Sequence, residues 1–299
     1  MTAYKTVALA GASGSLGAVV LKALLDANFT VTALTRADST HTFPSSVKVA
    51  KVDYDDATSL ASALQGQDAF VSTLGYAAMQ GQEKLIDAAI ASGVKRVLPS
   101  EFGANPEVSA VRQLPVFAHK VQVEHYTKEK VKGTSTTYTL VCNNEFLDWD
   151  LDHNFGVDVK GKKMEIFDGG NVTFTATPMG FVAKGVVAVL QRPDVTANRV
   201  IRLHGTGITQ NELLDMIQRY TGKEGWEISH TDTAEREKQG YEILSKEPTN
   251  FIGWAIPFLQ CSIWAERFGG DFSSNNDNQL LGLKEMTSAE VEEVIRSRV

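Results

Sequence analysis

The sequence predicts an α/β fold built on a doubly wound parallel sheet, with a smaller α/β substructure in the C-terminal half. Apolar strand patterns alternate with patterns of helical period up to about residue 142. A glycine-spaced turn joins the first strand pattern to the first helical one. Beyond about Asn143 the regular alternation stops. We therefore expect one unit over residues 1–150 and a smaller, substrate-binding region over residues 151–299, with some of its segments packing back on the large sheet.

The glycine-spaced turn runs from Gly11 to Gly17 and begins after a single short strand pattern. Gly11 can take a turn that a side chain would hinder, Gly14 lets the backbone approach a pyrophosphate, and Gly17 lets the helix pack closely on the strand. The helix that follows points free N–H groups and its positive dipole end at phosphates. This context is typical of the NAD(P)-binding Rossmann fold and disfavours a glycine-rich turn without a ligand. The turn residues predicted to bind the cofactor are Gly11, Ser13, Gly14, Ser15, Leu16 and Gly17.

The remaining elements follow from hydrophobic periodicity and turn residues. Further strands are predicted at residues 30–36, 47–53, 69–75, 96–100 and 138–142, and helices at 59–64, 80–92 and 114–132. In the second half, strands are predicted at residues 162–167, 172–175 and 199–203, and helices at 179–191 and 209–220. Thr209 with Glu212 forms a capping-box pattern, and Ser288 is the predicted cap of a last helix. Since ligands of such sheets bind at the carboxyl ends of the strands, the loops there are the candidate site.

Composition excludes several classes of function. The formal net charge of −7 argues against a nucleic-acid partner, because phosphate binding needs a basic face. Cys142 and Cys261 form no zinc-binding spacing, so we expect no metal and a reducing compartment. No apolar run approaches the roughly 18 residues of a membrane span, and the first residues lead into a strand rather than a signal peptide. We therefore expect no membrane partner and a cytoplasmic location.

Arg36 ends the second predicted strand, 19 residues after Gly17. NAD-selective folds place an acid there to bind the ribose diol, whereas a guanidinium can bind a 2′-phosphate through paired, charge-assisted bonds. The predicted cofactor is therefore NADP(H). Asp53, at the end of the third strand, is predicted to contact the adenine, although an aspartate there is also common turn chemistry.

Two loops follow neighbouring predicted strands and place small or polar groups at the same sheet edge. They are predicted to line the binding site of the ribose and the nicotinamide. Their cofactor-binding candidates are Thr73, Leu74, Gly75, Ser100, Glu101 and Phe102.

Several motifs appear together in a fixed order. They are residues 11–17 (GASGSLG), 35–36 (TR), 99–103 (PSEFG), 117–120 (FAHK), 138–141 (YTLV) and 144–146 (NEF), with looser matches at 174–178 (FTATP) and 198–202 (NRVIR). By these motifs the chain resembles the isoflavone reductase and phenylcoumaran benzylic ether reductase group, within the atypical short-chain dehydrogenases that also contain the NmrA-like proteins.

The resemblance implies that Lys120 is the catalytic residue and also borders the cofactor. A lysine beside the nicotinamide can give a proton to the oxygen that gains charge as hydride arrives. A surface lysine on an amphipathic helix is the alternative. The resemblance also implies that Asn144 and Phe146 contact cofactor and pocket, and that Trp149 and Asp150 border the substrate.

A competing pattern lies on the same predicted helix. Tyr126 and Lys130 have the Tyr-x-x-x-Lys spacing of ordinary short-chain dehydrogenases, but their surroundings look like a solvated helix end, so we interpret Tyr126 as structural. His119 and His125 are weaker acid–base candidates. The plant reductases usually carry a basic residue where this chain has Glu124, and we expect Glu124 to pair with Lys120 across one helical turn.

An aromatic stretch at residues 250–268 is compatible with a pocket for a flat substrate or with plain core. The predicted function is an NADPH-dependent reductase of a small aromatic or conjugated substrate such as an isoflavonoid-like or secondary metabolite. Two alternatives are an NADP-binding sensor without turnover and a lyase or cyclase that uses Lys120 only for proton transfer. The choice between monomer and homodimer stays open.

Overall fold

A parallel seven-stranded sheet forms the centre of the computed structural model, which describes residues 4–299. We expect the first residues to lead into a strand rather than a signal peptide. Residues 1–3 of that segment lie outside the described range. Within residues 4–299, the strands are β1 (Thr6–Ala10), β2 (Thr30–Arg36), β3 (Lys48–Val52), β4 (Ala69–Ser72), β5 (Arg96–Leu98), β6 (Thr137–Cys142), β7 (Val157–Asp158), β8 (Lys163–Phe167), β9 (Phe174–Ala176), β10 (Arg199–Arg202), β11 (Thr206–Ile208) and β12 (Glu227–Thr231).

Helices connect the strands and cover the sheet. Within the described residues the α-helices are α1 (Ser15–Asp26), α2 (Ala57–Leu64), α3 (Gln82–Ala91), α4 (Ser109–Gln113), α5 (Ala118–Lys130), α6 (Leu147–His153), α7 (Met179–Gln191), α8 (Pro193–Thr196), α9 (Gln210–Thr221), α10 (Thr233–Lys246), α11 (Phe251–Trp264), α12 (Asn278–Leu281) and α13 (Ser288–Arg296). Short 3₁₀ turns lie at Tyr76–Gly81, Pro115–Phe117, Asp168–Gly170 and Glu266–Phe268. None of the helices within residues 4–299 has both the length and the apolar character needed to cross a bilayer.

The large sheet has the order β10-β6-β5-β4-β1-β2-β3, and every neighbouring pair is parallel. Successive residues of a strand face opposite sides, so Val7 and Leu9 enter a core with α1 and α7, whereas Ala8 and Ala10 enter a core with α2 and α3. Both faces are therefore apolar and buried, as parallel sheets require. The predicted doubly wound α/β fold is confirmed.

The second half of the chain contributes to the large sheet and also builds its own small sheets. Strand β10 pairs with β6, and α7 packs on α1. Strand β8 pairs with β12 in parallel and with β7 in antiparallel fashion, and a separate core around Phe167, Phe174 and Trp264 links these strands to α6, α9 and α13. The proposed division at residue 150 stays a prediction.

Three local predictions need correction. The helix expected at residues 114–132 begins only at Ala118, because Pro115 starts a 3₁₀ turn that separates α4 from α5. Residues 174–176 do not continue β8: they pair with β11 in a separate two-stranded sheet. The last helix is capped by Thr287 rather than Ser288, with Glu290 completing the capping box. The capping box of α9 at Thr209 is confirmed.

The glycine turn lets α1 pack directly against the end of β1. Gly11 has φ +81°, which L side chains rarely adopt. A Cβ on Gly17 would lie 1.9 Å from the Gly11 carbonyl oxygen and 2.8 Å from Thr73 Oγ1. A Cβ on Gly14 would meet only the Gly11 oxygen, at 3.3 Å. Packing therefore requires glycine at positions 11 and 17, whereas Gly14 leaves its backbone open at the helix N-terminus.

We expect Gly17→Ala to lower the free energy of unfolding by about 3 kcal/mol, because the new methyl group meets backbone that cannot move aside. Urea denaturation followed by circular dichroism measures the change. Gly180→Ala is the matched control, since Gly180 also lies in a helix and its Cβ would have nothing within 4 Å. That variant should be unchanged or up to about 1 kcal/mol more stable. Equal stability of the two variants would contradict the packing argument.

Candidate active site

A cavity of about 360 Å³ lies beside the glycine turn and the end of β2. Gly11 and Ser13 line one side, and Thr35 and Arg36 line the other. The Arg36 side chain is 78% exposed and lies 3.8 Å from Asp38, so its guanidinium remains available to an anion. The hydroxyl of Thr35 is buried and has no hydrogen-bond partner within residues 4–299. An anionic ligand at this point would satisfy both side chains.

Asp53 does not line that cavity. Its carboxylate accepts the Asp55 backbone N–H at 2.9 Å, and its own N–H donates to Ser59 Oγ at 3.0 Å, so it forms the turn before α2. Tyr54 lines the cavity and donates to the Leu34 carbonyl at 3.3 Å. Tyr54 therefore lies on the wall of this cavity and Asp53 does not, and the adenine contact of Asp53 stays a prediction.

The loops after β4 and β5 meet at the carboxyl edge of the sheet, as expected. Ser100 Oγ donates to the Leu74 carbonyl at 2.9 Å, and Ser100 N–H donates to Gln82 Oε1 at 2.8 Å. Thr73 Oγ1 donates to the Ala10 carbonyl at 2.9 Å and lies under the glycine turn. Gly75 follows Leu74 and begins a 3₁₀ turn. These contacts connect the glycine turn, the loop after β4 and the loop after β5 along the carboxyl edge of the sheet.

Lys120 is held by the loop that follows β5. Its Nζ donates to the carbonyls of Glu101 and Phe102, at 2.7 Å each. No other acceptor from residues 4–299 bonds this ammonium, so two of its three protons are bound and one remains for a ligand. Gly103 supports the arrangement, since a Cβ there would lie 3.3 Å from Lys120 Nζ. The side chain thus lies at the sheet edge rather than on a solvated helix face.

Burial determines the charge balance around Lys120. Desolvation lowers the pKa of the Lys120 ammonium, and the nearby Glu101 carboxylate opposes that change. Burial also raises the pKa of the Glu101 carboxyl to about 7, against the attraction of Lys120. Lys120 therefore releases a proton more readily than a solvated lysine.

The expected pairing of Glu124 with Lys120 is wrong. Glu124 is 3% exposed and pairs with Arg112, and with Lys128 Nζ at 2.5 Å. It points toward the α4 side of α5, whereas Lys120 is drawn to the β5 loop by two carbonyls. A spacing of one helical turn permits the pairing. In the structure, however, Glu124 pairs with Arg112 and Lys128, and Lys120 donates to carbonyls of the β5 loop.

The Tyr-x-x-x-Lys pair faces α3, away from the cavity that contains Lys120. The Tyr126 hydroxyl donates to Asp87 Oδ2 at 2.5 Å, and Lys130 Nζ lies 3.1 Å from Asp87 Oδ1. His125 Nε2 lies 2.7 Å from an Arg112 nitrogen, and His119 has its Nε2 buried without a partner in the described residues. The geometry favours Lys120 over Tyr126 at the site.

A larger cavity of about 570 Å³ opens beside Lys120. Ser15 and Leu16 at the start of α1 line it together with Lys120, so it adjoins the glycine turn. Its other lining residues include Phe102, Gly103, Phe117, Asn144, Glu145, Phe146, Trp149, Asp150, Phe155, Phe251, Ile256, Leu259 and Gln260. The walls are mainly apolar, which suits an aromatic or conjugated molecule.

Helix α11 serves as both core and cavity wall. Trp254 and Phe258 pack in a core with the segment around Phe117, whereas Phe251 and Leu259 line the cavity. Both interpretations of the aromatic stretch therefore apply, each to a different face of the helix.

Asn144 and Phe146 lie at the end of β6, beside the cavity. Asn144 has φ +54°, its N–H donates to the Gly103 carbonyl at 2.8 Å, and its Nδ2 donates to the Thr175 carbonyl at 3.0 Å. Asn144 Oδ1 is buried without a partner within residues 4–299. Glu145, between the two motif residues, also lines the cavity. Glu145 lies inside the 144–146 motif, but polar residues precede it in the sequence, and no pattern there predicts a buried acid.

The model of the NmrA-like family matches residues 3–228, more than half of the chain. The chain belongs to the NmrA-like family. This NmrA-like chain is 33% identical over 298 residues to Oxidoreductase aprR of Aspergillus flavus, a match that covers 97% of each chain. The enzyme is accordingly an oxidoreductase.

Solved structures share the fold of this NmrA-like protein. A crystal structure of isoflavone reductase has a TM-score of 0.77 at 20% identity and covers 99% of this chain and 100% of the other. A structure described as AtPrR2 with NADP+ and (+)pinoresinol has a TM-score of 0.77 at 20% identity and covers 100% of both chains. The predicted resemblance to the isoflavone reductase group is confirmed.

We expect Glu124→Gln to lower the free energy of unfolding of this NmrA-like protein by about 2 kcal/mol, because Arg112 and Lys128 lose a buried counter-ion. Thermal and urea denaturation measure the loss. The control is Glu129→Gln on the same helix, whose pair with Lys132 is solvent-exposed and should change stability by at most about 0.5 kcal/mol. A smaller effect for Glu124 than for Glu129 would contradict the assignment.

Proposed function

We propose that this protein is an NADPH-dependent reductase that transfers a hydride to a small aromatic or conjugated substrate, with Lys120 as proton donor. The observation that carries the proposal is the position of Lys120 Nζ, bonded to two loop carbonyls beside an apolar cavity that adjoins the glycine turn. The names of the relatives support the reductase class. An aromatic substrate is supported by the aromatic cavity walls and by the neighbour in complex with pinoresinol.

The residues of the chain fit NADP(H). The pyrophosphate would lie against Gly14 and the start of α1, where a missing Cβ and free N–H groups suit an anion. The 2′-phosphate would engage Arg36 and the unpartnered Thr35 hydroxyl. The unpartnered Oδ1 of Asn144 suits the carboxamide of the nicotinamide. Of the predicted cofactor residues, Gly11, Ser13, Arg36 and Leu74 line the smaller cavity, and Ser15, Leu16, Phe102, Lys120, Asn144 and Phe146 line the larger one.

When bound, NADPH supplies the hydride. The chain orients the substrate and moves the proton. As the substrate's carbon gains the hydride, the electron pair of its C=O bond moves to the oxygen, and Lys120 gives that oxygen a proton. The charged ammonium stabilises the developing oxyanion before transfer. The carbonyls of Glu101 and Phe102 keep Nζ in place, and solvent returns the proton afterwards.

We expect Lys120→Met to lower kcat by about 100- to 10,000-fold, the usual contribution of a positioned proton donor. NADPH binding should remain, because the glycine turn and Arg36 are untouched. Steady-state kinetics with an aromatic carbonyl panel and fluorescence titration of NADPH separate the two effects. Tyr126→Phe is the matched control on the same helix and should keep full turnover. Full turnover in Lys120→Met would remove the proposed role.

The same lysine predicts the pH dependence of reduction. Because burial lowers the pKa of Lys120, the proton donor is lost as pH rises through that value. The rate should therefore fall on the alkaline side, with a midpoint below the ordinary lysine pKa of about 10.4.

Deuterium from labelled NADPH should appear in the product. Conversion without label would point to a lyase or cyclase instead.

We expect Arg36→Asp to weaken NADPH binding by about 10- to 100-fold, because the 2′-phosphate loses charge-assisted bonds and meets a like charge. NADH lacks that phosphate, so its affinity should stay the same or improve. Fluorescence titration of both cofactors gives the ratio, with NADH as the internal control. Unchanged discrimination between the two would assign the 2′-phosphate to other residues.

A further inference from the structure

Two buried carboxyl groups line the large cavity and have no part in the proposed proton transfer. Glu145 is 2% exposed and Asp150 is 6% exposed. The Glu145 backbone is fixed by its bonds to Thr175 and Thr177, and Asp150 lies on α6, with its N–H bonded to the Phe146 carbonyl at 2.9 Å. Independent elements thus hold both carboxyl groups in place at the same wall.

Apart from each other, the two carboxyl groups find no side-chain donor among residues 4–299. As carboxylates, Glu145 Oε2 and Asp150 Oδ2 are buried without a hydrogen-bond partner from residues 4–299. Only a proton shared between the two groups satisfies them within the protein. Burial raises the pKa of Glu145 to about 7 and raises that of Asp150 well above its usual value, with the charge of Glu145 adding to the effect. Near neutral pH the pair therefore lies between a neutral form with two protons and a form that shares one proton and carries a single negative charge.

The other charged groups near the pair leave that charge uncompensated. Asp148 on α6 raises the pKa of Asp150 further. Arg298, from the segment after α13, lies near Asp148 and Asp152 rather than the pair. His153 lines the cavity, but its Nδ1 lies 2.8 Å from the Trp149 carbonyl.

Across the cavity, Lys120 is bonded to the β5 loop. No arginine lines this cavity. The pair thus lacks a resident cation among the described residues.

A second element that lines the cavity also carries an unpartnered acceptor. Gln260 on α11 is 7% exposed, lines the cavity and has its Oε1 buried without a partner within residues 4–299. Aromatic side chains line the same cavity, including Phe146, Trp149 and Phe155. Acceptors and aromatic faces together favour a cationic donor, because a cation is attracted both to carboxylates and to ring faces.

We propose that Glu145, Asp150 and Gln260 bind a protonated nitrogen of the aromatic substrate. The assignment rests on the proposed reductase function and names its substrate class: an aromatic molecule that carries a basic amine or imine. The ammonium donates to the acid pair and to Gln260 Oε1 while the aromatic part packs on the cavity walls. A neutral hydroxyl also donates, but it leaves the negative charge of the pair uncompensated.

The test is equilibrium binding to the protein saturated with NADP+, measured by calorimetry without turnover. Three probes share one ring system: tryptamine carries an ammonium, indole-3-ethanol a hydroxyl, and 3-ethylindole neither. We expect tryptamine to bind about 10- to 100-fold more tightly than 3-ethylindole at pH 8. Its affinity should rise about tenfold from pH 6 to pH 8 with proton release, because a bound cation favours the ionised form of Glu145. The two neutral probes should show no such pH dependence.

Asp150→Asn and Glu145→Gln should each remove the preference for tryptamine and leave 3-ethylindole binding unchanged. Asp152→Asn is the matched control: Asp152 lies on the same helix near Arg298, outside the cavity lining, and should behave as the parent protein. Circular dichroism and NADP+ affinity verify that each variant folds.

Equal binding of the ammonium and hydroxyl probes, or a preference that survives in both acid variants, overturns the proposal. Because binding is measured without turnover, the test gives a clear result even if the protein catalyses no reaction. Failure of tryptamine to bind would also overturn the proposal, but it would not affect the result of the Lys120→Met experiment.

Discussion

The close contact between Gly17 and the Gly11 carbonyl is the constraint on which the site depends. It sets α1 directly against the end of β1, at a distance that no side chain permits. The two cavities lie on either side of this turn, since Ser13 lines the smaller and Ser15 the larger. The positive end of α1 therefore lies between a guanidinium on one side and an apolar chamber on the other. In the proposed function, this one packing contact would position both ends of an extended dinucleotide.

Desolvation gives the large cavity its chemistry. Lys120 is held by backbone carbonyls rather than by a carboxylate, and burial lowers the pKa of its ammonium. Glu145 and Asp150 share the same apolar surroundings, and burial raises the pKa of both. Desolvation thus lowers the pKa of the lysine and raises the pKa of the two carboxyl groups, because it disfavours the charged form of each. A polar cavity would leave all three groups near their ordinary values.

Hydrophobic periodicity and turn residues predicted the fold class correctly, but they predicted one helix boundary and one side-chain pairing near the site incorrectly. The order of strands and helices in the first half follows from side-chain period and turn residues, and the structure confirms the fold class. The helix that carries Lys120 is shorter than its pattern predicts, because Pro115 interrupts an otherwise helical pattern. Glu124 was assigned the wrong partner because helical spacing states only which side chains can meet. Arg112, from a different element, decided the pairing.

The sequence alone determined the glycine turn and the candidate cation at Arg36, because both depend on glycine spacing and distance along one short βαβ segment. It also identified Lys120, through the resemblance to known reductases. Only the tertiary structure decided what surrounds these residues. Glu145, Asp150 and Gln260 come from the end of β6, from α6 and from α11, more than 100 residues apart at the extremes. Their convergence depends on how those elements pack, and no local pattern in the chain encodes it.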